Sequence, residues 1–566
     1  MKVSDYIVEY LIDKRITDVF GYPGGMVTHL LDSFSKYDSR ISAHLAYHEQ
    51  AAAFAACGYA QASNKVGVAY ATSGPGATNL ITGICQAYYD SIPVLFITGQ
   101  VNRNELSNDK NIRQVGFQET DIVAITSKIT KLSIRITNPE DIKYILDKCF
   151  YYMLSERKGP CLLDIPMDVL SSDIDKTKLK DYVSKNRKSI KKNINKDIDF
   201  LKKIKRPVII VGNGLKNSKN RKKIEKSIRK LNIPVVSSML AVDTFINYKY
   251  NYGFIGAYGN RTANFIVSKS DLIISIGSRL DIRQVGKERK KFASKAQIIR
   301  FDVDDNELNY KVHSNDISYK LNIDCDEDCT RIIEYLSNIN IYNDWLNICE
   351  EIKLKLNNYD RDNISKTIHR ISDSFPDNCM ITTDVGQNQV WCAQSLTFKK
   401  NQKVLFSGSE GAMGYALPAA IGAYYATRKK VFCICGDGGL QMNIQELQFL
   451  YREQLPITII LLNNKSLGMI RHFQEMYFKS NYFHTISNNG YSTPDFEKIA
   501  KAYKIKYIKI SLKNNKVLDI NSKKPMFFEI ELNKKTYVKP KLVFGQPNQD
   551  QDPKINRKLY EYLNNL

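Results

Sequence analysis

Residues 431–464 read VFCICGDGGLQMNIQELQFLYREQLPITIILLNN, and this stretch decides the fold. An apolar run ends in Gly-Asp-Gly at 436–438, and 24 residues separate this triplet from Asn463-Asn464, which ends a second apolar run. Two such runs joined by a helical stretch predict a parallel β-α-β unit. The carboxyl ends of parallel strands meet at one edge of a doubly wound sheet, so we expect Asp437 and Asn464 to lie close together there.

The same alternation of apolar runs and helical stretches extends across a chain of 566 residues, which is too long for a single hydrophobic core. Runs such as VGVAYATSG, RPVIIVGNG and NCMITTDVG have the length and composition of parallel strands joined by crossover helices. We therefore predict an α/β fold with three doubly wound parallel-sheet domains. The predicted domains are residues 1–170, 190–335 and 360–535, with a tail over 536–566 and a lysine-rich linker within 178–206.

The formal net charge of +23 raises the question of nucleic-acid binding, since clustered Lys and Arg gain affinity by releasing counterions from phosphates. The basic residues are instead spread along the chain, so we expect no nucleic-acid partner. No apolar run reaches bilayer length, and the N-terminal MKVSDYIVEYLIDKR is acidic where a signal peptide is basic. We therefore expect a cytoplasmic protein with no membrane partner and with reduced cysteines.

The Gly-Asp-Gly and Asn-Asn sequences have the chemistry of a cation and diphosphate site. The Asp437 carboxylate and the Asn464 side-chain oxygen are hard ligands of the kind that Mg²⁺ prefers, and the ion keeps further positions for phosphate oxygens. Gly436 and Gly438 lack a Cβ, so their backbone N–H groups can approach a diphosphate closely. Either sequence alone is typical of an ordinary turn. Their pairing at two strand ends favours the binding site.

Two stretches carry a family resemblance: HEQAAAFAACGYAQASNKVGVAYATSGPGATNLITGICQAYYDSIPVLFITGQV at 48–101 and GDGGLQMNIQEL at 436–447. They resemble thiamine-diphosphate enzymes, and specifically the catalytic subunits of acetolactate (acetohydroxyacid) synthases. The resemblance implies thiamine diphosphate and Mg²⁺ as cofactors. By position it assigns the metal to Asp437, Asn464 and the Ser466 carbonyl, and the cofactor to Gln387, Asn388, Gly411, Met413, Gly436, Gly438 and Met469. Asn388 stands where this family commonly has His.

Glu49 opens an alanine-rich segment whose small side chains would let the cofactor or backbone of another subunit come close. Taken alone, Glu49 is a first-turn helix acid that the helix dipole stabilises. The resemblance makes it the catalytic acid that reaches across a dimer interface to the aminopyrimidine of the cofactor. We therefore expect a homodimer or homotetramer with its sites between subunits, and the resemblance allows a regulatory subunit as a further partner.

The resemblance extends to a substrate pocket and a flavin site. It places Gly24, Gly25, Phe117, Gln118 and Lys131 in the pocket, where Lys131 would attract a carboxylate and Gln118 would hydrogen-bond a substrate oxygen. The segments YGFIGAYGNRTAN and IGSRLDIRQVGK imply a structural FAD near Gly256, Tyr258, Gly277, Arg279, Asp281, Arg283 and Asp302. Arg279 and Arg283 would pair with its phosphates. The alternative is that both arginines form surface ion pairs in a fold without flavin.

The expected reaction is decarboxylation of pyruvate and transfer of the two-carbon acyl unit to a second 2-keto acid, giving acetolactate for branched-chain amino acid biosynthesis. No adjacent His-His pair is present, which disfavours protonation to an aldehyde. Phe473 stands where the family commonly has Trp, and the tail sequence FGQPNQDQDP differs from the usual ending. Two alternatives stay open: acetyl transfer to a nucleotide-linked keto sugar in surface polysaccharide synthesis, and a binding protein with a degenerate site.

Overall fold

The computed structural model describes residues 1–107, 111–184, 199–339, 341, 343–357, 359, 362–510 and 522–566. Three six-stranded parallel sheets follow one another along the chain, and we call the parts built around them the first, central and third domains. The predicted α/β fold with three doubly wound sheets is confirmed. The middle of the predicted linker and the boundaries predicted at 190 and 360 lie outside the described residues.

The first domain holds six strands and eight helices. Its strands are β1 (Asp18–Gly21), β2 (Ser42–Leu45), β3 (Gly67–Ala71), β4 (Val94–Gln100), β5 (Leu132–Arg135) and β6 (Cys161–Pro166). Its helices are α1 (Val3–Asp13), α2 (Thr28–Lys36), α3 (Glu49–Ser63), α4 (Pro75–Asn79), α5 (Ile81–Tyr89), α6 (Ile122–Thr126), α7 (Ile142–Leu154) and α8 (Met167–Ser171). The strand order is β2-β1-β3-β4-β6-β5, and β4 is buried along its whole length, as an inner parallel strand should be.

The central domain follows with a different strand order. Its strands are β7 (Pro207–Val211), β8 (Val235–Ser237), β9 (Asn251–Phe254), β10 (Leu272–Ile276), β11 (Gln297–Asp302) and β12 (Ile317–Lys320). Its helices are α9 (Asn213–Lys216), α10 (Arg221–Leu231), α11 (Arg261–Lys269), α12 (Ile282–Val285), α13 (Asp305–Asn309) and α14 (Asp326–Ser337). The order β12-β11-β10-β7-β8-β9 is that of dinucleotide-binding folds.

Helices α15 (Asn343–Leu356) and α16 (Asn363–Asp373) lead to the third domain. Its strands are β13 (Met380–Thr383), β14 (Lys403–Leu405), β15 (Val431–Gly436), β16 (Ile457–Asn463), β17 (Lys506–Ile510) and β18 (Met526–Glu531). Its helices are α17 (Gln387–Ser395), α18 (Ala416–Thr427), α19 (Asp437–Met442), α20 (Leu447–Arg452), α21 (Gly468–Tyr477) and α22 (Phe496–Ala502). The order β14-β13-β15-β16-β18-β17 repeats that of the first sheet. No helix among the described residues is long and apolar enough to cross a membrane.

Helices α3 and α18 lie against each other and join the first domain to the third. Their touching faces are alanine and glycine, and both helices belong to one buried core. A Cβ added to Gly422 would collide with the carbonyl oxygen of Ala55, and one added to Gly58 would collide with the backbone of Ala419. The small residues of α3 therefore admit a close backbone, and that backbone belongs to α18 of the same chain.

A buried ion pair joins the central domain to the third. Lys216 Nζ lies 3.0 Å from Asp243 Oδ1, and the two side chains are 4% and 1% exposed. Both groups also bind the backbone of strand β14: Lys216 Nζ donates to Val404 O at 2.7 Å, and Val404 N donates to Asp243 Oδ2 at 3.0 Å. The pair therefore fixes the distance between two domains.

The C-terminal tail packs against the central domain. Leu542 N donates to Ala257 O at 2.6 Å, and Gln551 Nε2 donates to Gly259 O at 2.9 Å. Helix α23 (Arg557–Asn565) then buries Leu563 in the central core. The structure thus places much of the tail on the central domain of its own chain.

Candidate active site

A cavity lies at the carboxyl edge of the third sheet, where the chain direction across the sheet reverses between β13 and β15. Doubly wound sheets bind ligands in the crevice at such a point. The cavity has about 1010 Å³ of empty space, part of it open to solvent. Eleven residues predicted from the sequence line it: Arg283, Gln387, Asn388, Gly411, Met413, Gly436, Asp437, Gly438, Asn464, Ser466 and Met469.

The Asp437 carboxylate, the Asn464 amide and the Ser466 carbonyl converge on the wall of this cavity. One end of the Asn464 amide lies 2.8 Å from Ser466 O and 3.3 Å from Asp437 Oδ1, and its other end lies 2.9 Å from Gln387 Oε1. With its nitrogen towards Ser466 and Asp437, the amide donates to both oxygens; with its oxygen there, it adds a third oxygen ligand for a cation. Carboxylate, amide and carbonyl oxygens are ligands that suit Mg²⁺.

Burial and hydrogen bonds prepare the Asp437 carboxyl group for a cation. The side chain sits at the first turn of α19, and burial raises its pKa to about 6. Tyr491 Oη and Ser466 N both donate to Oδ2, at 3.0 and 3.1 Å, which leaves Oδ1 facing the other two oxygens. A bound divalent cation would favour the ionised carboxylate.

Groups that fit a diphosphate lie beside the three oxygens. Gln387 Nε2 is buried at the start of α17 and has no hydrogen-bond partner among the described residues. A Cβ on Gly468 would lie 2.0 Å from Gln387 Oε1, so any larger residue there would have to move the Gln387 side chain. Asn388 is used differently, because its Nδ2 donates to the carbonyl of Asp384 at 2.9 Å. The free amide and the glycine-lined wall suit an anionic ligand.

Two buried carboxyl groups from different domains hold the segment 407–416. Asp90 of the first domain accepts from two backbone N–H groups near the start of this segment, at 2.7 Å each. Asp384 accepts from two near its end, at 2.9 and 3.0 Å. Burial raises the pKa of both acids, that of Asp384 to about 6. Between these anchors Gly411 has a φ of +69°, and with Met413 it lines the cavity.

Glu49 is buried at the start of α3, where it is 8% exposed. Its Oε2 accepts from Asn79 Nδ2 at 2.9 Å, and His48 caps the helix through Nδ1, which accepts from Gln50 N at 3.0 Å. Glu49 is not among the described residues that line the cavity. The structure therefore does not bring Glu49 and Asp437 into one pocket within a single chain.

None of the five predicted pocket residues of the first domain is among the described residues that line this cavity. Phe117 is 79% exposed, and a Cβ on Gly25 would meet open space, whereas one on Gly24 would collide with a neighbouring side chain. Gln118 adopts a φ of +65°, which is uncommon for a residue with a side chain. Lys131 Nζ donates to two backbone carbonyls, at 2.6 and 2.7 Å, so its ammonium is engaged within the first domain.

A second cleft lies at the switch point of the central sheet, between β7 and β10. It has about 880 Å³ of empty space and is lined by Asn213 and Gly214 after β7, and by Gly277 and Arg279 after β10. Asp302 lines it from the end of β11, and burial raises the pKa of this acid. Acidic residues at strand ends in this fold bind ribose hydroxyls. Gly277, Arg279 and Asp302 are thus the predicted flavin residues that the structure brings to the cleft.

The other four predicted flavin residues form a cluster that borders the third-domain cavity. Arg283 lines that cavity, and its guanidinium carbon lies 5.7 Å from the centre of the Tyr258 ring. Asp281 Oδ1 accepts from Arg283 N at 2.8 Å, and Gly256, with a φ of +114°, leaves room for the Arg283 backbone. Arg279 and Arg283 therefore face different cavities.

Sequence reasoning missed several residues of both sites. Asp384 follows the last residue of β13 and lies two residues before Gly386 of the GQNQ segment, and this position was a usable signal. Asp90 lies within the 48–101 stretch that carries the family resemblance, but no local pattern marks its contact with the third domain, and Tyr491 lies in no recognisable motif. Arg157 reaches the central cleft from the first domain, where its Nη1 donates to Glu307 Oε1 at 2.8 Å across 150 residues of sequence. No local sequence pattern predicts a contact between two residues so far apart along the chain.

Three family models match successive parts of this chain, and known proteins align with nearly all of it. Models of thiamine pyrophosphate (thiamine diphosphate) enzymes match the N-terminal TPP binding domain at residues 1–125, the central domain at 194–324 and the C-terminal TPP binding domain at 384–529. The acetolactate synthase large subunit of Lactococcus lactis subsp. lactis (strain IL1403) is 35% identical over 96% of this chain and 94% of that protein. The isozyme 2 large subunit of Escherichia coli (strain K12) is 33% identical over 98% and 100%, respectively. The chain therefore belongs to the acetolactate synthase large-subunit family of thiamine pyrophosphate enzymes.

Proposed function

We propose that this chain is a transferase dependent on thiamine diphosphate and Mg²⁺ that decarboxylates pyruvate and passes the two-carbon unit to a second 2-keto acid, giving acetolactate. The observation that carries the proposal is the convergence of the Asp437 carboxylate, the Asn464 amide and the Ser466 carbonyl beside the Gln387 side chain. The relatives, which are named acetolactate synthase large subunits and align with this chain along nearly their whole length, support it. Bound thiamine diphosphate supplies a nucleophile and an electron sink.

The residues of the chain bind and orient the reacting groups. Asp437, Asn464 and the Ser466 carbonyl hold the cation, and Gln387 Nε2 donates to the diphosphate. Gly411 and Met413 hold the aminopyrimidine half of the cofactor. Glu49 gives a proton to the aminopyrimidine nitrogen N1′. Placement of these groups before the reaction begins provides much of the rate enhancement.

The site needs a second copy of the chain. Glu49 lies outside the cavity of its own chain, so in this proposal it serves the cofactor bound by a neighbouring subunit. Phe117, which is 79% exposed, would cover that neighbour's cavity together with Gly25. The assembly is a homodimer or homotetramer. The relatives are named large subunits, which supports a smaller regulatory partner as well.

The central cleft is proposed to hold FAD. The support is the dinucleotide-type strand order and the presence of Arg279 and Asp302 at the switch point. Acyl transfer between keto acids moves no net electrons, so the flavin is structural. FAD should raise the melting temperature of the purified chain, and Asp302→Ala should reduce that increase. A melting temperature that FAD leaves unchanged would contradict this part of the proposal.

The proposed reaction is tested with purified chain, pyruvate, Mg²⁺ and thiamine diphosphate. Acetolactate should form, and Glu49→Gln should bind the cofactor but lose most turnover. Release of acetaldehyde without acetolactate would contradict the carboligase assignment. If calorimetry finds no binding of thiamine diphosphate that depends on the cation, the cofactor assignment is wrong and the degenerate binding protein is favoured.

A nucleotide-linked keto sugar is a second candidate acceptor, which one observation favours. Phe473 on α21 and Phe544 of the tail have ring centres 6.4 Å apart and are 37% and 65% exposed. Exposed aromatic rings beside Met469 and Ile470 of the cavity offer a surface on which a sugar ring can pack. In competition with pyruvate as acceptor, faster formation of a branched sugar would favour this candidate. No sugar product would reject it.

A further inference from the structure

The start of helix α3, which carries Glu49, is held by a short segment of the third domain at residues 443–452. Glu446, in a 3-10 turn that follows α19, accepts a hydrogen bond from Tyr47 N at 2.9 Å. Two further contacts secure the same place: Asn443 Nδ2 donates to Gln50 Oε1 at 3.3 Å, and Arg452 Nη2 donates to Leu45 O at 2.8 Å. Third-domain side chains thus hold two backbone groups before Glu49 and the side chain of Gln50 after it.

Glu446 stands out among these residues because it is 0% exposed, and its carboxyl group interacts with the backbone N–H groups of Tyr47 and His48. Burying a carboxyl group away from water costs free energy, so such a group in a folded protein calls for an explanation. Burial raises the pKa of Glu446 to about 8, which leaves the group protonated and neutral at pH 7. Its carbonyl oxygen can then accept from Tyr47 N without placing a charge in the core.

We propose that Glu446 is a positioning residue for Glu49: it fixes the backbone two residues before Glu49 and so sets the direction in which that side chain leaves the helix. The inference rests on the proposed role of Glu49 as the proton donor to the cofactor. Productive geometry must hold to a fraction of an ångström, and a residue that carries a proton needs a supporting contact of this kind.

The position of Glu446 also connects two half-sites. Helix α19 begins at Asp437, which faces the cation, and the turn that follows it ends at Glu446. In an oligomer where Glu49 serves the neighbouring subunit, the segment from Asp437 to Glu446 therefore contributes to two sites. Its start faces the diphosphate site of its own subunit, and its end holds the Glu49 that serves the neighbour's site.

The test compares Glu446→Gln with Glu446→Asp, using Glu49→Gln as the reference. Glutamine keeps an oxygen at the same reach, so the hydrogen bond from Tyr47 N survives, whereas aspartate keeps the acid but withdraws it by one methylene. The rate at which the C2 proton of bound thiamine diphosphate exchanges with deuterium reports the step that Glu49 promotes. Glu446→Asp should slow this exchange on the order of 10-fold or more. Glu446→Gln should stay within about 3-fold of the unaltered chain, and the KM for pyruvate should change little in both.

Amide exchange over residues 45–50 in the cofactor-free protein provides a second readout, in which Glu446→Asp should lose protection and Glu446→Gln should keep it. The exposed Glu497, paired with Lys501, gives a matched control, since Glu497→Asp should change neither readout. Exchange at the unaltered rate in Glu446→Asp, or equal loss in both Glu446 variants, overturns the inference. If Glu49→Gln itself keeps full C2 exchange, the proposed role of Glu49 fails instead.

Discussion

At the scale of single residues, the three groups proposed to bind the cation have a consequence for stability. The Asp437 carboxylate, the Asn464 amide and the Ser466 carbonyl meet only in the folded chain, with the amide 2.8 Å from Ser466 O and 3.3 Å from Asp437 Oδ1. A ligand that binds only the native state stabilises it by mass action. Cation and cofactor together should therefore act on folding as well as on catalysis.

Mg²⁺ with thiamine diphosphate should stabilise the unaltered chain by about 2.7 kcal/mol when the ligand stands at 100 times its Kd. Asn464→Ala should lose most of this increase, because it removes one of the three oxygens and the donor to Gln387 Oε1. Thermal unfolding with and without both ligands measures the difference. Asn338→Ala, on the exposed face of another domain, serves as the control. An equal increase in Asn464→Ala would contradict the assigned cation site.

The protonation of Glu446 should make stability depend on pH. Its pKa is about 8 in the folded chain against an ordinary value of 4.5, so the folded state keeps the proton to higher pH. The resulting stabilisation is full below about 4.5, falls as pH rises towards 8 and is then lost. Glu446→Gln does not titrate, so its free energy of unfolding relative to the unaltered chain should increase from pH 5 to pH 8. The increase should approach about 1.4 kcal/mol per pH unit at most. Urea unfolding at the two pH values measures it, and a constant difference would count against a raised pKa.

The sequence predicted the residues whose signal is local. Asp437 and Asn464 follow apolar strands, so their meeting at a sheet edge could be inferred from the order of strand, helix and strand. Glu446 and Asp90 could not be placed this way, because their backbone partners lie 399 and 318 residues away. Lys131 is a residue whose contacts its motif did not indicate, since its ammonium donates to backbone carbonyls of its own domain.

At the scale of elements, the contact between α3 and α18 depends on the absence of side chains. The alanine-rich sequence predicted that the cofactor or backbone of another subunit would approach α3, whereas the structure places α18 of the same chain against it. Parallel strands were predictable from their apolar composition. At the edge of the first and third sheets the last two strands lie in reversed order. This order was not predictable from the sequence, because either order would bury the same residues.

Gly422→Ala should destabilise the chain by about 1–3 kcal/mol, because the added methyl would collide with the Ala55 carbonyl oxygen and force the helices apart. Denaturant unfolding followed by circular dichroism measures this change. Gly25→Ala provides the matched comparison for stability alone, since its Cβ would meet open space within 4 Å. If both variants lose the same stability, close helix packing is not the cause.

At the scale of the whole molecule, the domains are joined by buried polar contacts as well as by apolar packing. Lys216 and Asp243 of the central domain bind each other and both main-chain groups of Val404. Such a pair contributes little net stability when intact, but removing one partner leaves a buried charge uncompensated. The junction is therefore sensitive to single substitutions.

Asp243→Asn should cost about 3–5 kcal/mol, since Lys216 would remain buried without its counter-charge. Asp32→Asn is the control, because Asp32 pairs with Lys36 on the surface, where its loss should change stability far less. Thermal unfolding of the two variants measures the loss of stability in each. Equal stability of both would show that the central and third domains are held by apolar contacts alone.

The segment from Asp437 to Glu446 also limits how the protein can change in length. Its first residue, Asp437, accepts from Ser466 N and Tyr491 Oη, and its last holds the backbone before Glu49, so both ends are fixed by contacts to different parts of the molecule. One inserted residue would turn everything after it by about 100° and advance it by about 1.5 Å, which breaks one contact or the other. Insertions and deletions that separate this chain from its relatives should therefore avoid the segment, even where its individual side chains have been exchanged.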